Sequence, residues 1–247
     1  MAALLLLVCS LTASLVGAHV NHRGTCKPLN STMENFEPDR FVGEWFVLSA
    51  FDPDASCLRF NYTSCGAGCL HVQEQKQLSL ISTFGVSNVY RAAGLLRFDI
   101  DQPARMVATF NDNQRVAEYA VLDTDYDSFA AVYTCENITV GALSLYHRRD
   151  VYFLSRKQNS SAIALSQVER VSSMLIANQI ENEFEPVVHE RCLSADQALL
   201  DLDTNRGIVE RVQGMVADAS NAITGGLNSL ASAISGVFSG FRRRTRL

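Results

Sequence analysis

Short segments in which apolar and polar residues alternate occupy the middle of the chain, from Phe41 to about Lys157. A period of two places every second side chain on the same face of a strand, so each segment predicts a β-strand with one buried face. Turn-forming residues such as Gly66-Ala67-Gly68 and Asn111-Asp112-Asn113 separate the segments. The series indicates about eight strands without intervening helices, which is typical of an antiparallel barrel or sandwich. The predicted strands are 41–48, 70–73, 78–84, 89–98, 105–110, 116–122, 129–135 and 151–155.

The period changes after the last predicted strand. Between residues 162 and 179, the apolar side chains recur mostly at steps of three and four, which predicts one amphipathic helix packed on the strands. These side chains are Ile163, Leu165, Val168, Val171, Leu175 and Ile176. An all-β meander followed by one packed helix is therefore the expected fold class.

A second helical pattern begins at Ile208 and continues to Phe241. Its larger apolar residues again recur at steps of three or four, and the opposite face is rich in Ser, Asn, Gly and Ala. Such a face, followed by arginines at the end of the chain, is typical of helices that lie on lipid surfaces. Packing on protein, helical oligomerisation and disorder are the alternatives, because each of the several glycines costs about 1 kcal/mol of helix stability.

The first eighteen residues resemble a cleavable secretory signal, since a short apolar run from Leu4 ends at Val16-Gly17-Ala18. The expected division is therefore residues 1–18 as signal peptide, 19–193 as the barrel domain and 194–247 as an amphipathic helical extension. The net charge of −5 makes nucleic acid an unexpected partner, since most of the basic clustering lies in the last six residues.

Two further patterns agree with a secreted, extracellular protein. Six cysteines remain after the signal, and an even number in an exported chain predicts disulfide bonds. Asn30, Asn61, Asn137 and Asn159 each begin an Asn-x-Ser/Thr acceptor site for N-glycosylation. Cys65 and Cys69 flank Gly66-Ala67-Gly68, so a hairpin would let them form a local disulfide; a reactive thiol pair or a metal site is the alternative.

Three local motifs occur in an order that carries more information than any of them alone. Gly43-Glu44-Trp45 is a Gly-x-Trp motif, Thr124-Asp125-Tyr126 forms a turn motif, and Arg156 closes a predicted strand. Together they resemble the signature of the lipocalin family, in particular the branch of apolipoprotein D and the insect bilin-binding and Lazarillo-type proteins. The resemblance covers about residues 24 to 193 and implies an eight-stranded up-and-down barrel with one C-terminal helix.

The resemblance also implies roles for particular residues. Gly43, Trp45, Thr124, Asp125 and Arg156 would close one end of the barrel, with the guanidinium over the indole. Cys26 would pair with Cys135, and Cys57 with Cys192. The resemblance places Tyr119, Tyr126, Tyr152 and Leu154 on the wall of a ligand cavity, and alternation adds Val47, Phe84 and Phe110. Plain core packing is the alternative for each of them, and the outer surface is expected to hold Arg91, Glu118, Arg115 and Glu74.

These observations favour a carrier. An eight-stranded barrel is just wide enough for one small ligand, here a fatty acid, sterol, retinoid or tetrapyrrole, and no resident cofactor or metal is expected. An isomerase acting on a lipid is the alternative from another class, although the cysteines have plausible disulfide partners and no catalytic constellation is visible. A third hypothesis assigns the activity to residues 206–247, as a peptide that docks on a membrane or lipoprotein surface.

Overall fold

A computed structural model describes residues 22–51, 53–111, 115–140, 143–158, 163–180 and 183–204. The signal segment, the acceptor Asn159 and residues 205–247 lie outside the described residues. The strands are β1 (His22–Arg23), β2 (Gly43–Ala50), β3 (Ala55–Ser64), β4 (Cys69–Leu78), β5 (Asn88–Phe98), β6 (Arg105–Phe110), β7 (Val116–Thr124), β8 (Phe129–Val140), β9 (Leu143–Ser155), β10 (Glu185–Pro186) and β11 (Leu200–Asp203). The helices are α1 (Pro38–Phe41), α2 (Ser79–Thr83) and α3 (Leu165–Ala177). None of the helices in this part of the chain has the length and apolar character needed to cross a bilayer.

Strands β2 to β9 form an antiparallel meander in which each strand pairs with the next. The sheet closes because β9 also pairs with β2, with Val47 opposite Leu154 and Ala50 opposite Tyr152. Closure leaves no unpaired edge around the barrel, which removes the tendency of open strands to aggregate. The predicted eight-stranded barrel with one packed C-terminal helix is confirmed.

One predicted strand is wrong, and one strand of the barrel was missed. Residues 78–84 alternate like a strand but contain the short helix α2, in which the Ser82 and Thr83 hydroxyls donate hydrogen bonds to the carbonyls of Leu78 and Ser79. Conversely, β3 was not predicted, because its alternation begins after a residue with positive φ at Cys57 and its register with β4 shifts between Ser56 and Arg59. The number of strands was right only because these two errors cancel.

Alternation divides the buried side chains into two clusters. One cluster fills the inside of the barrel and includes Trp45, Tyr62, Leu96 and Val121. The other lies between the outer surface of β7–β9 and helix α3, which contributes Val171 and Leu175. The helix therefore covers one side of the barrel, and the cavity is left to the inner faces of the strands.

The chain beyond Cys192 begins differently from the predicted helix. Strand β11 pairs in parallel with the start of β5, where β5 has no partner in β6. Asp201 accepts two hydrogen bonds from Arg91, at 3.2 Å from Nε and 2.6 Å from Nη2, and Asp203 lies 3.3 Å from the same Nη2. Leu200 and Leu202 alternate with these aspartates, so the LDLD sequence has the period of a strand rather than a helix. The expected helical extension from residue 194 is therefore wrong for its first ten residues.

Three disulfides are present among the described residues. They join Cys26 to Cys135, Cys57 to Cys192 and Cys65 to Cys69, with Cα–Cα distances of 5.9, 5.5 and 5.5 Å. The first ties the N-terminal arm to β8, the second holds the segment after α3 against β3, and the third closes the β3–β4 hairpin. Cys65 and Cys69 thus form a local disulfide rather than a reactive thiol pair or a metal site.

Candidate ligand-binding cavity

One end of the barrel is closed by Trp45. Its indole is fully buried, and its Nε1 donates a hydrogen bond to the Phe41 carbonyl at 2.9 Å, where α1 crosses the barrel. The Arg156 guanidinium lies over the other side of the ring, 3.7 Å from its centroid. A cation at that distance from an indole is attracted by the ring's negative face. The tryptophan therefore closes the barrel and is separated from the opposite, open end.

Gly43 is required for this arrangement. Its φ of +98° is a conformation that L side chains rarely adopt, and a Cβ at this position would lie 3.1 Å from Arg156 Nη1. The absence of a side chain lets the guanidinium reach the carbonyls of Val42 and Glu44, both at 2.9 Å. The glycine of the Gly-x-Trp motif is therefore explained by the close approach of the Arg156 guanidinium.

The turn between β7 and β8 is held by its own side chains. The Asp125 carboxylate accepts backbone hydrogen bonds from Asp127, Ser128 and Phe129, and the Thr124 hydroxyl donates to the Phe129 carbonyl at 2.6 Å. Burial tends to raise the pKa of Asp125, but these hydrogen bonds to the charged form outweigh it and lower the pKa. Thr124 and Asp125 therefore shape the closed end and lie away from the cavity.

The opposite end is open and contains a cavity of about 90 Å³. It lies beside the connections β2–β3 and β6–β7, and its deeper wall contains Phe60, Phe110, Tyr119 and Tyr152. Ala117 also lines it from β7. Ligand pockets commonly measure about 300 to 1,000 Å³, so this cavity is smaller than most and would enclose only a small ligand or part of one.

Tyr119 and Tyr152 give the deep wall its phenol groups, and Tyr62 is buried behind Tyr119 in the inner cluster. Tyr62 and Tyr119 hydrogen bond to each other through their hydroxyls and are both almost fully buried. Burial is the largest cause that raises the pKa of Tyr62, Tyr119 and Tyr152 above the ordinary value of tyrosine. These phenols are therefore neutral at physiological pH and present hydrogen-bonding groups without charge.

Nearer the mouth, the wall is charged. Lys76 Nζ lies 3.0 Å from Glu74 Oε1, and Arg148 Nη2 lies 3.0 Å from Glu136 Oε2. Burial tends to lower the pKa of Lys76, but the Glu74 carboxylate outweighs it, and the pKa is raised. Lys76 is therefore charged at neutral pH. Arg115 and Asp150 complete this charged ring, which we define as Glu74, Lys76, Arg115, Glu136, Arg148 and Asp150.

The structure divides the predicted wall residues into three groups. Phe110, Tyr119 and Tyr152 line the cavity. Val47 and Leu154 are fully buried in the inner cluster but do not border the cavity. Tyr126 and Phe84 lie elsewhere in the barrel.

Tyr126 and Phe84 do not line the cavity. Tyr126 lies in the turn at the closed end, where its hydroxyl accepts a hydrogen bond from the Glu37 backbone at 2.9 Å and its ring stacks on Phe36. Phe84 follows α2 and is 72% exposed. Phe84 was placed on the wall by the alternation of residues 78–84. Because this segment is helical, alternation does not decide which of its side chains face inward.

The charged ring was missed by sequence reasoning. Glu74 and Arg115 were expected on the outer surface, but both line the cavity, and Glu74 is only 8% exposed. A signal was available, because Glu74 and Lys76 have the same parity as Leu70 and Val72, which are buried on the inner face of β4. Polar residues were predicted on the outer face because they are polar. In a strand, however, the face of a side chain is decided by its position in the alternation, not by its residue type.

Comparison with known proteins gives consistent relatives. No family model matches the sequence. The chain is 27% identical over 186 residues to apolipoprotein D of Cavia porcellus, covering 73% of this chain and 92% of that protein. It is 31% identical over 120 residues to purpurin of Gallus gallus, covering 44% and 59% respectively. Insecticyanin from the tobacco hornworm Manduca sexta has a similar fold, with a TM-score of 0.52, 18% identity and coverage of 76% of this chain and 97% of that one.

Proposed function

Because the chain belongs to the lipocalin family, we propose that its barrel binds and carries a small hydrophobic ligand in the cavity at the open end. One observation supports this above the others: a cavity lined by Phe60, Phe110 and Tyr152 lies inside a barrel whose other end is closed by Trp45. Such a cavity has one entrance. Binding removes apolar surface of the ligand and of the wall from water, which contributes roughly 25 cal/mol of free energy per Å² of apolar surface buried.

The charged ring narrows the class of ligand. A wholly apolar molecule at the mouth would remove water from Glu74, Lys76, Glu136 and Arg148 without replacing its hydrogen bonds, which is costly. A ligand with an apolar body and one ionised group avoids this cost. The small volume of about 90 Å³ further favours a short amphiphile over a tetrapyrrole or a sterol.

A carrier role is favoured over an isomerase role by the state of the thiols. All six of the cysteines that follow the signal are in disulfides, so no thiolate in the described residues faces the cavity. We also infer secretion, because three disulfides are typical of an oxidising compartment. Asn30, Asn61 and Asn137 are exposed, so all three are proposed carriers of N-linked glycans.

A matched pair of variants tests ligand binding. Ala117→Phe adds a ring to the cavity wall, whereas Val116→Phe adds the same ring to an exposed outer position. We expect isothermal titration calorimetry to show one-to-one binding of octanoate or octylamine with a Kd of about 0.1 mM or tighter. Ala117→Phe should weaken it at least about tenfold, because the added ring occupies the ligand's volume, and Val116→Phe should change it by less than about twofold.

Octanol serves as the neutral ligand of equal length. Weaker binding of octanol than of both charged probes would support an ionised head group, and the stronger of the two charged probes would show its sign. If neither charged probe binds to a protein whose circular dichroism is native, or if both variants lose affinity equally, the cavity is not the ligand site. Retinol and biliverdin should bind more weakly than the short amphiphiles.

The apolar stripe from Ile208 to Phe241 supports a second proposal, that residues 206–247 dock the protein on a lipid surface. Truncation after Thr204 removes this stripe and retains β11, whose ion pairs with Arg91 lie in the described structure. We expect the truncated protein to lose at least about tenfold in affinity for anionic phospholipid vesicles and to keep its affinity for octanoate. Equal vesicle binding by both forms in a sedimentation assay would exclude this segment as the docking element.

A further inference from the structure

A second cavity lies on the outside of the barrel, between the N-terminal arm, strand β9 and the end of helix α3. Its volume is about 270 Å³, three times that of the cavity inside the barrel. The two cavities share no lining residue. We define the outer cavity as the basic cleft, after the side chains His22, Arg23, Lys27, His147 and Arg149 that line it.

The charge of the basic cleft is opposite to that of the protein. The whole chain has a net charge of −5, yet the cleft brings together two arginines, one lysine and two histidines. None of the described residues that line it is an aspartate or a glutamate. Like charges at close range are unfavourable, so a cluster of this kind is typical of a surface that receives an anion.

The walls of the cleft are held in place by covalent and hydrogen bonds. Cys26 is bonded to Cys135, and β1 pairs with β9 so that His22 lies opposite His147. The Asn178 side chain accepts a hydrogen bond from the Asn30 backbone at 2.7 Å. A ligand would therefore meet a site whose geometry already exists, which reduces the entropy cost of binding.

Two buried polar side chains face this site. Tyr133 is 3% exposed, and its pKa is raised to about 12 by burial and by the carboxylates of Glu118 and Asp150, against the effect of Arg149. Its hydroxyl therefore keeps its proton and can donate it in a hydrogen bond. His147 is 7% exposed and donates its Nδ1 proton to the Gly24 carbonyl at 3.1 Å, which fixes the ring.

His22 and His147 lie together in the cleft, where burial and neighbouring positive charge disfavour the charged form of His22. The rings of His22 and His147 stack with centroids 5.4 Å apart. Burial, followed by the charges of Arg149 and His147, lowers the pKa of His22. A bound anion would offset this repulsion. The nearby end of α3 opposes an anion only weakly, because its last carbonyls accept hydrogen bonds from the backbone of Asn178, Gln179 and Ile180.

We propose that the basic cleft is a second ligand site, which binds a small soluble oxyanion carrying a phosphate or sulfate group. The planar fork of an arginine matches the oxygens of such a group, and a lysine and a phenol add single donors. The volume of about 270 Å³ holds the group together with a small organic substituent. The site is independent of the barrel cavity, so the protein would carry an anion and an amphiphile separately.

Two double variants of equal charge test the proposal. Arg23→Gln with Lys27→Gln removes two exposed cations of the cleft, and Arg97→Gln with Lys157→Gln removes two exposed cations elsewhere on the surface. The secreted protein is titrated with inorganic phosphate and with sulfate at constant pH and ionic strength. Ring-proton resonances of His22 and His147 are followed by NMR, and His71, exposed on β4, serves as an internal reference.

We expect saturable shifts of the His22 and His147 resonances with a Kd of about 1 mM or tighter, and no shift of His71. The cleft variant should weaken binding at least about tenfold, and the surface variant should change it by less than about twofold. Equal weakening in both variants would show unspecific attraction and overturn the proposal, as would the absence of saturation. Acetate binding as tightly as phosphate would overturn the assignment to a phosphate or sulfate group.

Discussion

Replacing Arg156 with alanine is expected to lower the free energy of unfolding by about 3 to 4 kcal/mol. The guanidinium donates hydrogen bonds to the carbonyls of Val42, Glu44 and Tyr126 at 2.9, 2.9 and 3.2 Å and covers the indole of Trp45. A hydrogen bond to a charged group contributes about 1.5 to 3 kcal/mol, and the contributions of one shared group are not fully additive. Removal leaves these carbonyls, and that of Arg40 at 3.4 Å, without their donor and opens one side of the indole.

Chemical denaturation, followed by the fluorescence of Trp45 and by circular dichroism, measures the effect. Arg156→Lys is the informative comparison, because lysine keeps the charge but lacks the planar fork, and we expect it to recover less than half of the loss. Arg97→Ala, at an exposed position on β5, should change stability by less than about 0.5 kcal/mol. A loss below about 1 kcal/mol for Arg156→Ala would mean that the closed end is held by packing of Trp45 and Phe41 alone.

The closed end could be predicted from sequence because its parts interact in fixed pairs. Arg156 lies more than 100 residues after Gly43 and Trp45 in the chain. Each of the three has a property that the other two explain: a positive φ at Gly43, a buried indole at Trp45 and a half-buried cation at Arg156. Motif order was sufficient to identify them. The pairings of Cys26 with Cys135 and of Cys57 with Cys192 followed from the same resemblance, whereas the Cys65–Cys69 pairing followed from local spacing.

The open end could not be predicted in the same way, because its properties depend on register. Along β4, the inward positions change from Leu70 and Val72 to Glu74 and Lys76, and residue type alone assigns the last two to solvent. Since a shift of one residue exchanges the two faces of a strand, only the pairing of β4 with β3 and β5 decides the question. These inward residues determine which ligands the cavity can bind, so the class of ligand could not be predicted without the structure.

Strand β11 was missed for a different reason. Its four residues alternate like a strand, but so short a run gives a weak signal beside the longer helical pattern that follows it. Its pairing is tertiary: β5 extends beyond β6 at the mouth, and the free backbone of Asn88 to Arg91 accepts a parallel strand. Arg91 then supplies the counter-charge for Asp201 and Asp203. Pairing with β5 therefore determines the strand conformation of a segment whose local sequence does not determine it.

The three disulfides are expected to differ in their contribution to stability according to the length of chain that they close. Cys57–Cys192 and Cys26–Cys135 span 135 and 109 residues, whereas Cys65–Cys69 spans 4. In the chain-entropy model, the loss of either long link should cost about 5 kcal/mol and the loss of the short link about 2 kcal/mol, because a long loop removes more freedom from the unfolded chain. Paired Cys→Ala variants, unfolded in urea, measure the three values.

Removal of the Cys57–Cys192 link should also change the open end of the barrel. His189 binds the Val47 carbonyl at 2.7 Å, and Val188 accepts a hydrogen bond from the Cys57 backbone at 2.8 Å, so the disulfide holds this segment in register beside the mouth. We expect the paired variant to bind octanoate more weakly and the Cys65–Cys69 variant, altered at the closed end, to bind it normally. Equal losses of stability in the two variants would contradict the chain-entropy model. Full octanoate binding by the Cys57–Cys192 variant would show that the segment before β11 has no part in shaping the mouth.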